Sequence, residues 1–476
     1  MPVPIISVAQ MREWENATWK TGMSEAEVIR RVGRSVARRA VELTAPGDLI
    51  IVLAGTGNNG ADARSALEQL EDRRIDMLQV RNPEEDLPEL ETLLGIPPAL
   101  VIDGLFGIGI NRPLNAAWIR FIERINASQL PVLAIDVPSG LDADTGEPHG
   151  AAVEAVVTLT VGSPKVGLVR PAAYRYTGRL EITPDVGLVS CPATSDLQWI
   201  HESDFRNFPP RRKPSMHKGS FGHVGIIAGS TGFHGAAVLA ARGAQRARPG
   251  LVTLITSAPV YPIAAAHLQA VMVGPWSENI SFEKFDALLA GPGLAGADIP
   301  AGLQSTVELL WRSADVPMVV DASALAWLPK GRITSAAPRV ITPHPGEAAR
   351  LLESTVSEVQ VDRANAVRKL SATFANCHVA LKGFQTVVGS SSGNLFLNPS
   401  GGPNLGQGGS GDVLAGFLAG LLAQPALQAD VSKTIQFAVW RHGATADALD
   451  ESRPNWVVEE LVAALTGNFL PITKSI

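Results

Sequence analysis

Two glycine turns carry the residue types best suited to chemistry. In the second half of the chain, Gly408-Gly409-Ser410-Gly411-Asp412-Val413-Leu414-Ala415-Gly416 opens an apolar helix. Backbone amides at a helix start form an anion hole, and Asp412 in the first turn is placed to act as a base on a hydroxyl attacking a phosphoryl group. Phosphoryl transfer asks little more of a protein than positioning and charge neutralisation. Aspartate also simply stabilises helix starts, so Asp412 taken alone fits either role. In the first half, Leu49 to Ala54 runs into Gly55-Thr56-Gly57-Asn58-Asn59-Gly60-Ala61-Asp62, and a helix is predicted from Arg64 to Leu70. The turn lacks the third glycine of the dinucleotide fingerprint. Its paired asparagines offer carbonyl oxygens to a hard cation or a polar ligand, or make an ordinary turn.

The elements that must position these groups alternate β-branched runs with helical stretches, the pattern of α/β domains with parallel sheets. Strands are predicted at Leu49 to Ala54, Leu100 to Asp103, Val132 to Asp136 and Val156 to Val161. Two of them end in an aspartate, and ligands of open parallel sheets lie beyond the carboxyl ends of the strands. Asp103 and Asp136 are therefore candidates, although a strand-end aspartate is also a common turn or cap residue. Periodicity is lost between Cys191 and Ser220, where Phe208-Pro209-Pro210-Arg211-Arg212-Lys213-Pro214 reads as a solvated linker. A boundary near Ser203 gives domains 1–203 and 204–476. The second series has strands at His223 to Ala228, Leu251 to Thr256, Ala287 to Ala290, Met318 to Asp321, Arg339 to Thr342 and His378 to Leu381, with a helix near Gly235 to Ala247. Thr386 to Asn398 reads as a hairpin at the sheet edge, turned by Ser391-Ser392-Gly393-Asn394.

Composition narrows the function class. The chain has 476 residues, with Lys+Arg 40 against Asp+Glu 46 and a net charge of -6. That length suits two or three domains. The acidic balance argues against a nucleic-acid partner, since phosphate neutralisation needs clustered basic residues. Anionic small ligands remain available to backbone amides. Cys191 and Cys377 cannot build a disulfide framework. Met1 to Gln10 lacks the look of a secretory leader, and no apolar run approaches a membrane span. A cytoplasmic protein with no membrane partner is expected, and a homo-oligomer.

Further segments join the first turn in a fixed order: Val101-Ile102-Asp103-Gly104-Leu105-Phe106-Gly107-Ile108-Gly109, then Asp136-Val137-Pro138-Ser139-Gly140-Leu141-Asp142, then Ser163-Pro164-Lys165-Val166-Gly167-Leu168. Over about residues 5 to 200 this series closely resembles the NAD(P)H-hydrate epimerase domain. The resemblance implies a Rossmann-like three-layer fold and interconversion of the R and S hydrates of NADH and NADPH. It also implies K+ held by Asn59, Asp103 and Ser139. The hydrate would meet Asn58, Asn59, Gly60, Ala61 and Asp62, and the loop Gly107, Ile108, Gly109, Ile110, Asn111, Arg112 and Pro113. Asp136 would touch substrate as the acid/base, which suits proton movement at a carbon bearing a hydroxyl. Lys165 could hold a phosphate or be a solvated strand-end lysine. Ala61 and Ala63 stand where the family has glycines, which would add Cβ atoms against a phosphate or exclude positive φ. Glu15 stands where the family tends to have aspartate.

In the second half, Gly408 to Gly416 resembles the anion hole and base of the ribokinase-like superfamily. Beside it stand His217-Lys218-Gly219-Ser220-Phe221-Gly222, Gly229-Ser230 with Gly235-Ala236-Ala237, Gly291-Pro292-Gly293-Leu294, Asp321-Ala322-Ser323-Ala324-Leu325, Thr342-Pro343-His344-Pro345-Gly346-Glu347 and Lys382-Gly383-Phe384-Gln385-Thr386. In this order they resemble the ADP-dependent NAD(P)H-hydrate dehydratase domain over about residues 205 to 470. The implied reaction phosphorylates the hydrate hydroxyl from ADP with Mg2+, then eliminates phosphate and leaves AMP. Asp412 is the implied base. Ala236, Gly293 and His344 are implied hydrate contacts, and Lys382, Gly383, Phe384, Gln385, Thr386 and Gly411 contacts to the nucleotide. Glu347 could serve a magnesium water network or cap a helix over 347–352. The whole chain thus resembles the bifunctional NAD(P)H-hydrate repair enzymes. The alternative is a ribokinase-type hydroxyl kinase whose N-terminal domain binds nucleotide without catalysis.

Overall fold

The computed structural model describes residues 3–183 and 185–466. These fall into two compact units, Val3–Ser195 and a second that begins at Asp196.

After a two-residue strand β1 (Val3–Pro4), the first unit forms β2 (Leu49–Ala54), β3 (Arg74–Gln79), β4 (Leu100–Gly104), β5 (Val132–Ile135), β6 (Val157–Val161) and β7 (Arg179–Thr183). The strands β2 to β7 make one parallel sheet in the order β3-β2-β4-β5-β6-β7. Its apolar strands are buried on both faces, as a parallel sheet between helix layers requires. Ile50 and Val52 pack with Val32 and Val36 on one face, while Ile51 and Leu53 pack with Leu90 and Phe121 on the other. This is the Rossmann-like three-layer arrangement. The chain leaves β2 toward β3 on one side and β4 on the other. A crevice is therefore expected beyond Ala54 and Gly104.

The second unit contains β8 (Leu197–Trp199), β9 (His223–Ile227), β10 (Leu251–Thr256), β11 (Met272–Pro275), β12 (Ala287–Ala290), β13 (Met318–Val320), β14 (Arg339–Ile341), β15 (His378–Leu381), β16 (Val387–Gly389) and β17 (Leu395–Leu397). They lie in the order β8-β17-β16-β15-β14-β13-β12-β9-β10-β11. Neighbours from β11 to β15 are parallel, whereas β16 runs antiparallel to β15 and to β17. The expected hairpin forms with Val387 opposite Leu397, but not at an edge, because β8 pairs in parallel with β17.

Two local features differ from the sequence reading. The helix expected at Arg64 starts at Asn58, capped by Gly57, so Asn58 to Asp62 are its first turns. Ala61 and Ala63 therefore have ordinary helical backbone, and Ala63 is fully buried in the core. Arg212, read as part of a solvated linker, stacks 3.7 Å over the Phe221 ring and bonds the Gln424 side chain. Among the described residues no helix is long and apolar enough to cross a membrane.

Candidate functional site

The first unit opens a cavity of about 870 Å3 at the crevice beyond β2 and β4. Asn58, Asn59, Asp62, the run Gly107 to Pro113 and Asp136 all line it. Gly60 and Ala61 do not. Gly60 instead lets the helix start lie against the turn, since a Cβ there would sit 2.0 Å from the Gly55 carbonyl oxygen. The opposite wall comes from two N-terminal helices, through Arg12, Glu15, Glu25 and Val28. The first, Val8–Trp19, is closed by a capping box of Ser7 and Gln10, and its Val8 amide donates to Asp144 at 2.8 Å. The second, Glu25–Leu43, starts at the Ser24 cap, and Asn58 Nδ2 donates to Glu25 Oε1 at 2.6 Å.

Asp136 sits just past β5 with φ of 62°, in the left-handed region that costs a non-glycine residue strain. Its Oδ1 accepts from Lys165 Nζ at 2.5 Å, the Val161 amide at 3.1 Å and Thr160 Oγ1 at 3.3 Å. Lys165 is fully buried, and Ile6 holds its backbone in a parallel bridge. It is thus the ionic partner of Asp136, neither a solvated lysine nor free for a phosphate. Asp62 is 8 % exposed. Burial, and then the charges of Asp136, Glu15 and Glu25, hold its carboxyl well above the usual carboxylate range. Burial and Asp136 likewise push Glu15 up.

Beneath this wall Asp103 is completely buried. It accepts from Ser139 Oγ at 2.6 Å, the Ser139 amide at 2.8 Å and the Leu105 amide at 3.2 Å. Burial still outweighs these donors and pushes its carboxyl up to about 6. Ser139 Oγ receives the Phe106 amide at 2.9 Å, and Asn59 Nδ2 donates to the Phe106 carbonyl at 2.8 Å. Asn59, Asp103 and Ser139 are thus brought together, with a backbone carbonyl among them.

In the second unit the glycine loop opens the helix Ser410–Leu422, buried from Val413 onward. This helix is clamped to the helix His234–Ala247, for a Cβ on Gly416 would lie 1.9 Å from the Ala240 carbonyl oxygen. Asp412 is held at its first turn. Across from it, Asp321 follows β13 and Lys382 follows β15, and Lys382 Nζ donates to Asp321 Oδ1 at 2.7 Å. Burial, then Asp321, push the Asp412 carboxyl up to about 7, with Lys382 opposing. Burial works against the charge on Lys382, but Asp321, Glu347 and Asp412 outweigh it and raise its pKa.

A cavity of about 650 Å3 adjoins this cluster, lined by His344, Lys382, Gly383, Phe384, Thr386 and Gly411. Gln385 and Asp412 are not among its lining residues, and Gln385 is 4 % exposed with a buried, unpartnered Oε1. Ala236 and Gly293 do not line it either. They pack against each other, with the Gly293 carbonyl held by Ser230 Oγ at 2.6 Å. His344 caps the helix Pro345–Leu352, its Nδ1 accepting from the Gly346 and Glu347 amides at 3.0 and 3.3 Å. Glu347 completes that capping box by accepting the His344 amide at 2.7 Å, and its charge also acts on Asp412.

Some positions here were not legible as functional in the sequence. His442 lines the second cavity with Nε2 3.0 Å from the Ser410 carbonyl, and burial lowers it to about 4, so the neutral ring fixes the glycine loop. Arg363 donates to the Leu381 carbonyl at 2.7 Å and the Lys382 carbonyl at 3.2 Å, fixing the backbone that carries Lys382. Nothing local marks either residue. Asp321 did carry a signal, the same strand-end placement that singled out Asp103 and Asp136.

Comparison with known proteins agrees with this geometry. Residues 224–464 match the family model described as NAD(P)H-hydrate dehydratase, and residues 64–167 match that of the YjeF-related protein N-terminus. The chain is 34% identical to the bifunctional NAD(P)H-hydrate repair enzyme of Gloeobacter violaceus, covering 94% of this chain and 93% of that one. The solved ADP/ATP-dependent NAD(P)H-hydrate dehydratase of Bacillus subtilis, co-crystallised with ATP and Mg2+, is 30% identical with a TM-score of 0.51. That match covers 56% of this chain and 94% of the other. A ribokinase-like superfamily protein of Enterococcus faecalis shares the fold at 24% identity and a TM-score of 0.50, over 58% of this chain and 96% of that one.

Proposed function

The chain belongs to the bifunctional NAD(P)H-hydrate repair enzymes, and from that premise we propose how its two sites divide the work. The cavity of the first unit epimerises the R and S hydrates of NADH and NADPH. The cluster of the second unit dehydrates the S hydrate at the expense of ADP, giving NAD(P)H, AMP and phosphate. The relatives are named bifunctional NAD(P)H-hydrate repair enzymes, which favours this reading over the kinase alternative. The observation that carries the second assignment is Asp412, in the first turn of a helix that opens from a glycine loop, beside the Asp321–Lys382 pair.

In the second unit Asp412 takes the proton of the hydrate hydroxyl as it attacks the terminal phosphoryl group. The N-terminus of the helix Ser410–Leu422 and the ammonium of Lys382 offset the negative charge that gathers there. Phe384 and Thr386 bound the nucleotide. Asp321 and Glu347 are carboxylates of the kind that hold Mg2+ carried on nucleotide phosphates, where it neutralises charge. Hydrate contacts are assigned to Ala236, Gly293 and His344.

In the first unit Asn59, Asp103, Ser139 and the Phe106 carbonyl are joined in one hydrogen-bonded group, and with the Asn59 amide turned to present Oδ1 they would offer K+ oxygen ligands only. Bound there, the cation would offset negative charge beside the acidic cavity. Asp136, held by the Lys165 ammonium, is the acid/base group at the hydroxyl-bearing carbon. Both cysteines are free thiols, which supports a reducing cytoplasmic compartment.

Product analysis tests the second activity. Purified S hydrate with ADP and Mg2+ is expected to yield equal amounts of NADH, AMP and inorganic phosphate. Accumulation of a phosphorylated hydrate would mark a hydroxyl kinase instead.

A further inference from the structure

Epimerisation at the first cavity needs two proton carriers, and among the carboxyls that line the cavity Asp62 and Asp136 sit in opposite surroundings. Hydration of an enamine places the hydroxyl on the carbon bonded to nitrogen, so the hydrate can lose it with help from the ring nitrogen lone pair. That departure needs an acid, and the return of water needs a base. Asp136 is surrounded by donors: Lys165 Nζ, the Val161 amide and Thr160 Oγ1. Asp62 has no hydrogen-bond or ionic partner among the described residues, is 8 % exposed, and still lines the cavity. It comes from another element, the helix Asn58–Ala66, and shares the cavity with the carboxyls of Glu15 and Glu25. Burial and neighbouring like charges favour the neutral form of such a carboxyl, whereas ammonium and amide donors favour the charged form of one they surround. Pairs of carboxyls whose surroundings split them in this way mark acid and base.

We propose that Asp62 is the general acid of the epimerisation, working against Asp136 as its base; this rests on the epimerase reading of the first cavity. Asp62 gives its proton to the hydroxyl, the carbon–oxygen bond breaks, water leaves, and the nitrogen lone pair closes a C=N bond. Water then adds to the other face of that carbon, the C=N electron pair returns to nitrogen, and Asp136 takes the proton lost by the water. The turnover leaves Asp62 ionised and Asp136 protonated. Conversion of the opposite epimer, with the roles exchanged, or proton exchange with solvent restores the start. Glu15 and Glu25 sharpen the division by disfavouring a second negative charge at Asp62.

The test uses the full chain without ADP, so that only epimerisation runs, with R and S hydrates separated by chromatography in 18O-labelled water. Wild type is expected to introduce one labelled oxygen per epimerisation event, and unlabelled product would overturn the carbon–oxygen cleavage proposed. Asp62→Asn and Asp136→Asn are each expected to slow epimerisation about 100-fold or more, with S-hydrate dehydration unchanged once ADP is added. Should Asp62→Asn lower the melting temperature, Asp62→Glu retains the proton and is expected to keep about a tenth of the wild-type rate or more. An Asp62→Asn chain that epimerises at the wild-type rate while Asp136→Asn does not, or an Asp62→Glu chain as slow as Asp62→Asn, overturns the role of Asp62. A wild-type chain that converts R hydrate no faster than buffer overturns the epimerase reading itself.

Discussion

Asp412→Asn is expected to lower S-hydrate dehydration by on the order of 1,000-fold, within the range lost when a general base is removed. The substitution preserves shape and the helix start, so the glycine loop, the Gly416 contact and the Asp321–Lys382 pair should persist. What it removes is the group that takes the hydroxyl proton. ADP binding should change little, because the lining Lys382, Phe384 and Thr386 are untouched. Conversion of R to S hydrate should continue at the wild-type rate, as that chemistry belongs to the other unit. The intact enzyme should also show a matching pH dependence. A base must be ionised to work, and Asp412 is pushed up to about 7. Dehydration by wild type should therefore be weak at pH 6, rise through pH 7 and level off above it. A variant that keeps wild-type turnover, or a profile flat between pH 6 and 8, would remove Asp412 from the chemistry.

Lys165→Met is expected to damage the first unit in two separable ways. Lys165 is fully buried and donates to Asp136, Thr160 Oγ1 and the Val161 carbonyl. Breaking a buried ion pair from one side leaves the other charge uncompensated, at a cost of about 3–5 kcal/mol. In a domain of this size that lowers the melting temperature by on the order of 10 °C. Epimerisation should fall by about 100-fold as well, since Asp136 loses the ammonium that holds its Oδ1 in place. Differential scanning calorimetry and the ADP-free epimer assay read the two effects on the same preparation. Unchanged stability together with unchanged epimerisation would show that the pair is dispensable.

Legibility followed burial and local pattern. The central strands were readable because both of their faces are apolar, as in Leu49 to Ala54 and Ala287 to Ala290. The strands with no sequence expectation include β3, β7 and β11, the edges of their sheets as described. Residues such as Arg74, Asp76 and Glu181 interrupt the apolar run there, and one side needs no burial. At the sites, glycine turns and strand-end aspartates were visible because chemistry and chain direction leave a local mark. Arg363 and His442 were not recognised, for each acts on a segment far away in sequence and sits in an ordinary helix. The doubt over Ala61 and Ala63 came from treating their segment as a turn. As helix, it needs no positive φ, and Ala63 fills core space.

Absorbance at the reduced-nicotinamide band shows whether one chain repairs both epimers. Mixed R and S hydrates are incubated with the enzyme, ADP, Mg2+ and K+. The whole of the input is expected to return as reduced nucleotide, at a rate well above spontaneous epimerisation. Recovery that stops at the S fraction, with the remainder following only the spontaneous rate, would contradict it and confine the enzyme's activity to the second unit.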